Sequence, residues 1–248
     1  MHGNELSSLY KNRFSYPDAT SRRNAVWKEI VACGLQRFIK ENDTVVDVAC
    51  GYGEFINNVR AGRKIAVDLN ADSAEYLDGG IEFYCLDALS MSQSQSLLGV
   101  ADVVFTSNFL EHLPDKSAVL PFLNEVSAVL KPGGRYITMG PNIRYCAGEY
   151  WDYLDHNVPL SSASVTEALQ ICGFAIVHTT ERFIPYSFKG FMTSSALSSP
   201  LLSSPLLSSP LSFHYITPRQ GVLEGAAVLE VLGEAVFDRG GEMQWMIP

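Results

Sequence analysis

Apolar positions along the first 185 residues follow two periods, and the way those periods alternate orders the elements. Trp27, Ile30, Val31, Leu35 and Phe38 share one helical face, which predicts a helix from a cap at Asp18 to Lys40. Thr44–Val48 is a short β-branched run ending in a glycine-containing turn. A short helix through Phe55 and Ile56 and a second strand, Lys64–Asp68, complete a βαβ unit. Ile81–Cys85 and Asp102–Thr106 read as strands three and four, short and apolar as in a parallel sheet covered on both faces. Val119, Phe122, Leu123, Val126 and Leu130 predict a helix over 115–130. Lys131-Pro132-Gly133-Gly134 stops it, and Arg135–Met139 is strand five. Ser164-Val165-Thr166-Glu167 reads as a capping box, Gly173 as a C-terminal cap and Phe174–Thr179 as a sixth strand. The pattern predicts a doubly wound α/β sheet preceded by an N-terminal helix.

The pattern breaks beyond residue 190. Leu197–Leu211 is three copies of Leu-Ser-Ser-Pro-Leu, and a proline every five residues forbids a regular helix or a central strand. Residues 191–220 are therefore expected to be a linker after a domain of residues 1–190. The tail, 221–248, is weakly periodic, with a turn signal at Asp238-Arg239-Gly240-Gly241.

Composition narrows the function classes. With 47% apolar and 18% charged residues, the 248-residue chain can bury a substantial core and is not a disordered polymer. Eighteen basic against 27 acidic residues give a net charge of −9, which excludes general attraction to a phosphate backbone, so no nucleic-acid partner is expected. Cys33, Cys50, Cys85, Cys146 and Cys172 are odd in number, lack CxxC spacing and sit mostly in apolar segments, as buried reduced thiols would. The first residues do not pattern as a secretory signal, and no apolar window reaches about 18 residues. The expectation is a cytoplasmic, enzyme-sized domain without a membrane span. Oligomeric state is not readable.

Candidate chemistry gathers where strands end. Val45-Val46-Asp47-Val48-Ala49-Cys50-Gly51-Tyr52-Gly53 places small residues where a strand turns into a helix, so a ligand can approach the backbone. A dinucleotide fingerprint would need glycine where Ile56 stands, and a P-loop would need Gly-Lys-Ser/Thr. Asp68, 15 positions after Gly53, can accept both hydroxyls of a ribose. Asp87 follows strand three and can accept from an adenine amino group. The bland alternatives are a tight turn for the two glycines and a helix cap for either aspartate taken singly.

Together with Asp102–Leu113 and Leu130–Arg135, these elements resemble the class I S-adenosylmethionine-dependent methyltransferases over about residues 20–185, in a type 11/23-like form that serves small-molecule or glycan pathways. The resemblance implies a Rossmann-like methyltransferase sheet with S-adenosylmethionine as cofactor. Asp47, Ala49, Gly51 and Gly53 would shape its methionine end, Asp68 and Leu69 would take the ribose, Asp87 and Ala88 the adenine, and Asn108, Phe109 and Leu110 would flank the sulfonium. Ala49 replaces a commoner glycine, with little expected at stake.

Methyl transfer from a sulfonium is an in-line displacement, so a base is needed only for a protonated acceptor. His112 is the candidate base, against the alternative of a structural cap, with Asp155 and His156 next in line. Glu111 would orient His112; one adjacent Glu-His pair makes poor metal chemistry, and no metal is expected. The aromatic stretch Tyr150–Asn157 reads either as a surface for a sugar or ring, or as a packed lid. The expected acceptor is a hydroxyl on a small, possibly sugar-linked molecule. The alternatives are a cofactor-binding protein without turnover and an NAD-dependent oxidoreductase, the latter disfavoured by Ile56.

The same resemblance implies a seventh strand, antiparallel, between strands five and six. No such segment is evident, so the strand-seven region is expected to be aberrant, with Phe213–Thr217 as an imperfect substitute. One frame later, codons compatible with Val231–Ile247 can spell FLGKQCLIVAEKCNG, a strand of the missing kind, which is consistent with a frameshift between about residues 190 and 220.

Overall fold

A computed structural model describes residues 19–146, 148–186, 209–218, 235–237 and 243–245. The chain divides into two compact units, Met1–Ser107 with Asn124–Tyr136, and Asn108–Leu123 with Ile137–Pro248.

In the first unit, helix α1 (Ala19–Ile30) runs into a π turn at Val31–Leu35 and a 3₁₀ turn at Gln36–Phe38, so the predicted 18–40 helix is built of three pieces. Gln36 ends it: its amide donates to the carbonyls of Ile39 and Arg60 and accepts from Arg60 N. Strands β1 (Thr44–Val48), β2 (Arg63–Asp68), β3 (Glu82–Cys85) and β4 (Ala101–Ser107) lie in the order β3-β2-β1-β4, followed by the opening residues of β5 (Leu130–Pro141). They form a five-stranded parallel sheet, with Val46 opposite Ile65 and Val104, and Asp68 opposite Cys85. Val45, Val46, Val48, Ile65, Val67, Val103 and Val104 are fully buried, because both faces are covered. Helix α2 (Glu54–Asn58) follows the β1 turn, and α3 (Val119–Val129) leads directly into β5. The amino ends of the strands are tied by ion pairs: Arg135 to Asp43 and the Phe38 carbonyl, Lys131 to Asp102, and Arg63 to Glu82.

In the second unit, α4 (Ser162–Ile171) packs beside β6 (Phe174–Tyr186), and β7 (Ser209–Pro218) lies between β5 and β6. The capping box is one turn earlier than expected. Ser161 caps α4 and Ser164 answers it, because that pair of hydroxyls reaches the free N–H groups without Glu167. Gly173 follows the helix at φ +82°, as expected of a C-terminal cap.

The largest difference from expectation lies at β7. Ser209–Pro218, within the segment expected to be linker, pairs antiparallel with β6 from Phe174↔Pro218 to Tyr186↔Ser209, with register shifts at Ile176/His178 and Thr180/Ile184. It takes the seventh-strand place, and it contains the Phe213–Thr217 run. Proline is tolerated because Pro210 and Pro218 stand near the two ends of the pairing, away from the middle of the ladder. In the tail, β8 (Ala235–Phe237) and β9 (Met243–Trp245) form an antiparallel pair. The other residues of the repeat segment and tail, and with them most of the frameshift reading, lie outside the described residues.

One smaller correction concerns the cysteines. Of the five cysteines, all free, only Cys50 is buried; Cys33 and Cys85 are exposed. No helix among the described residues is long and apolar enough to cross a membrane.

Candidate active site

The turn after β1 is built on left-handed backbone. Ala49, Gly51 and Gly53 have φ of +58°, +56° and +71°. Glycine takes this conformation freely, whereas alanine pays about 1–2 kcal/mol, so more is at stake at Ala49 than its sequence position suggested. A Cβ on Gly53 would also come within 2.7 Å of the Leu77 side chain. The turn is fastened to the end of β2: Gly51 N donates to Asp68 Oδ2 and Asn70 N to Oδ1, both at 2.8 Å. Asp68 is therefore no helix cap, since Asn70 caps the next 3₁₀ turn. A carboxylate offers about four acceptor sites, so both oxygens keep capacity for ribose hydroxyls.

Asp87 accepts from Leu89 N at 2.9 Å and caps the turn from Ala88, so the cap alternative describes its geometry; its exposed carboxylate retains a second oxygen. Ala88 is buried and Leu69 is 37% exposed. Asp47, at the end of β1, is 3% exposed. Burial, then the charges of Glu54 and Asp68, push its carboxyl well up from the usual range. Burial also raises Glu54 and Asp68, the former against the opposing charge of Arg23, the latter against three backbone N–H donors. No positive charge offsets the burial of Asp47 and Asp68, which suits a cationic ligand that also carries vicinal hydroxyls. That donor set fits S-adenosylmethionine, whose sulfonium and ammonium are positive and whose ribose needs acceptors.

A second cluster stands in the second unit. His112 Nδ1 lies 3.0 Å from the Asp155 carbonyl and 3.2 Å from its Oδ2. A carbonyl only accepts, so Nδ1 carries the proton and Nε2 is the nitrogen that exchanges one. Burial pulls the His112 pKa down, but the bond to Asp155 and the charges of Glu111 and Asp155 outweigh it, and the net shift is upward. His156 is oriented the same way, Nδ1 donating to the Tyr150 carbonyl at 2.6 Å, with Nε2 4.0 Å from Asp155 Oδ1. The three predicted acid–base residues do meet. One ligand atom from each lies within 4.8 Å of the others, so the trio has the composition of a metal site, although the 4.0 Å spacing is wide for a shared ion.

Glu111 is 1% exposed. Its Oε1 accepts from the Tyr150 hydroxyl at 2.9 Å, while the buried Oε2 has no hydrogen-bond partner. Burial raises its pKa, with Asp155 adding to the effect and His112 opposing it. Beside it is a cavity of about 20 Å³, lined by Leu110, Glu111, Thr138, Gly140, Ser161 and Val165, which is room for one water. The rings of Tyr150, Tyr153 and Trp151 gather on His156 at 4.3, 5.2 and 6.4 Å. Asn108 is left-handed at φ +48° and donates its N–H to the Met139 carbonyl; Phe109 packs on Phe122, and Leu110 is buried.

Residues 46–138 match the family model described as "Methyltransferase domain". This segment is similar to methyltransferase domains. Over 121 residues the chain is 30% identical to the Probable methyltransferase ltbC of Aspergillus luteorubrus, spanning 43% of this chain and 42% of that protein. The chain thus spans less than half the length of this curated relative. Among solved structures it resembles a SAM-dependent methyltransferase from Archaeoglobus fulgidus, with a TM-score of 0.57, 18% identity, and 85% of this chain and 98% of that one covered. It also resembles geranyl diphosphate C-methyltransferase from Streptomyces coelicolor A3(2), with a TM-score of 0.53, 16% identity and coverages of 72% and 70%. That protein was solved with Mg2+, geranyl-S-thiolodiphosphate and S-adenosyl-L-homocysteine. At such identities these likenesses carry the fold. For the methyltransferase domain, the oxidoreductase alternative loses its footing at Ile56, fully buried where a third glycine would stand.

Sequence reasoning missed Glu54, Arg23 and the role of Tyr150. Each acts through a contact between residues at least 31 positions apart, which leaves no periodic trace.

Proposed function

We propose that this chain transfers the methyl group of S-adenosylmethionine to a hydroxyl oxygen of a small-molecule acceptor, free or sugar-linked, in the cytoplasm. The observation that carries the reading is the imidazole of His112, fixed through Nδ1 by Asp155 so that Nε2 handles the proton. When bound, the cofactor supplies an electrophilic methyl group on sulfur. The chain's own part is to hold and to deprotonate. Asp68 would accept from the ribose hydroxyls, Leu69 would lie against that sugar, and Asp87 and Ala88 would receive the adenine. Asp47, Ala49, Gly51 and Gly53 would hold the methionine end, and Asn108, Phe109 and Leu110 would border the sulfonium. On transfer of the cofactor's methyl group to the acceptor oxygen, His112 Nε2 would take the hydroxyl proton. Asp155 stabilises the resulting imidazolium, and His156 is the second proton carrier.

Incubation with methyl-labelled cofactor and a panel of glycans and hydroxy acids tests this. Replacing the proposed base should slow transfer about 10²–10⁴-fold. His112→Gln is therefore expected to lose turnover while S-adenosylhomocysteine affinity stays at the wild-type value. A wild-type rate would remove His112 from the mechanism. Cofactor binding without transfer to any acceptor would favour the binding-protein alternative.

A further inference from the structure

Beside the acid–base cluster one buried carboxylate is held in place with an oxygen unused. Glu111 stands in the 3₁₀ turn Leu110–His112 after β4. Its carbonyl accepts from Asn157 N at 2.8 Å and Val158 N at 3.1 Å, and its Oε1 accepts from the Tyr150 hydroxyl at 2.9 Å. Backbone and side chain are thus both fixed. Its other oxygen, Oε2, is buried and has no hydrogen-bond partner among the described residues. An acceptor left that way is destabilising, and a ligand's donor would relieve it. Oε2 faces Gly140, where an added Cβ would meet that oxygen at 3.8 Å. Between them lies the cavity of about 20 Å³, which admits one water-sized group.

Leu110, Val158 and Val165 give this space apolar walls, and Thr138, Ser161 and Ser162 bring hydroxyls to it. Ser162 gives its proton to Glu181, which leaves its oxygen an acceptor. Gly140 and Ser161 are half-buried, so the space reaches the surface along that edge. His112, which can carry positive charge, turns Nδ1 to Asp155 and makes no bond to Oε2. A water would bring a donor to Oε2 but no charge. A primary ammonium is equally small, brings three donors and a positive charge, and pairs strongly with a carboxylate in apolar surroundings. We propose that Glu111 Oε2 receives a primary ammonium group of the methyl acceptor, which makes that acceptor an amino alcohol or amino sugar. Its role as a methyl acceptor rests on the methyl-transfer reading above; the ammonium site itself does not.

Two arms test the two parts. In the first, urea unfolding of the full chain is followed in methylammonium, potassium and tetramethylammonium chlorides at equal ionic strength. A ligand that binds only the folded state raises the midpoint. Methylammonium should raise it above the value in tetramethylammonium, which is too large to enter, and above that in potassium, which donates no hydrogen bond. The difference should vanish in Glu111→Gln, which keeps an oxygen for Tyr150 without the charge, and in Gly140→Ala, whose methyl would stand in ordinary contact with Oε2 and fill the space. Equal midpoints in the three salts overturn the proposal and require no variant to fold. A potassium response as large as that to methylammonium, or a difference that persists in both variants, also overturns it.

In the second arm, labelled methyl transfer compares glucosamine with glucose and ethanolamine with ethylene glycol. The amine should be preferred about 10- to 100-fold in kcat/KM, the worth of a hydrogen-bonded charge pair, and Glu111→Gln should lose that preference. Transfer with no preference for the amine overturns the proposal and leaves methyl transfer standing. A methylammonium shift without transfer to any of the four keeps the ammonium site and overturns its assignment to a methyl acceptor.

Discussion

Replacing Asp155 with asparagine separates the electrostatic part of the acid–base cluster from its shape. Asp155 is 5% exposed, and the side chains of Asp155 and His112 are 7% and 28% exposed, so solvent screens their pairing only in part. The folded-state pKa of His112 is raised above its ordinary 6.5. The stability it contributes is therefore fully present below about pH 6.5 and lost as pH rises through the folded value. Asparagine keeps the backbone carbonyl that accepts from Nδ1 and removes the charge. A hydrogen bond to a charged group contributes about 1.5–3 kcal/mol and a neutral one about 0.5–1.5 kcal/mol. Asp155→Asn should thus destabilise by about 1.5–3 kcal/mol at about pH 5.5 and by clearly less at about pH 9. Urea unfolding at the two pH values measures both numbers, and imidazole NMR titration follows His112 directly, with its pKa falling in the variant. An equal loss at both pH values, or an unmoved His112 pKa, would refute the pairing as the source of the shift.

Ala49→Gly should stabilise the chain by up to about 1 kcal/mol, the left-handed strain relieved less the entropy gained by the unfolded chain; a loss of stability on urea unfolding would show that the Ala49 methyl is packed. Glu111→Gln should flatten the pH dependence of stability. The raised carboxyl pKa means that wild type is favoured below about pH 4.5 and loses that advantage as pH rises through the folded value, so the variant gains relative to wild type by pH 8. A constant difference between the two across that range would mean that Glu111 is not a strained buried acid. Ser161→Ala should cost about 1 kcal/mol by removing the α4 cap, whereas Glu167→Ala should cost far less; the reverse order would restore the later capping box.

The sheet was legible because a strand buried on both faces writes itself as a short apolar run, and β1, β2 and β4 fall within a residue or so of the positions that pattern marks. Asp47 and Asp68 were legible because they interrupt those runs at their carboxyl ends. Strand lengths were not. β6 extends to Tyr186 because β7 pairs with it, and that partner sits in a proline repeat whose composition argues against any strand. Local alternatives also compete: Ser161, Ser162 and Ser164 all offer a capping hydroxyl, and only backbone geometry selects the first. The Glu111–Tyr150 and Arg23–Tyr52 contacts depend on where distant segments pack, and no spacing rule encodes that.

Calorimetric titration of the wild-type chain and of Asp68→Ala with S-adenosylhomocysteine is the most direct trial of the account. Wild type should bind one equivalent, with no comparable heat from NAD, and the variant should bind more weakly by about 1–3 kcal/mol, the worth of charge-assisted bonds to the ribose. Equal affinity in the two proteins, or an absence of binding to wild type, would contradict it.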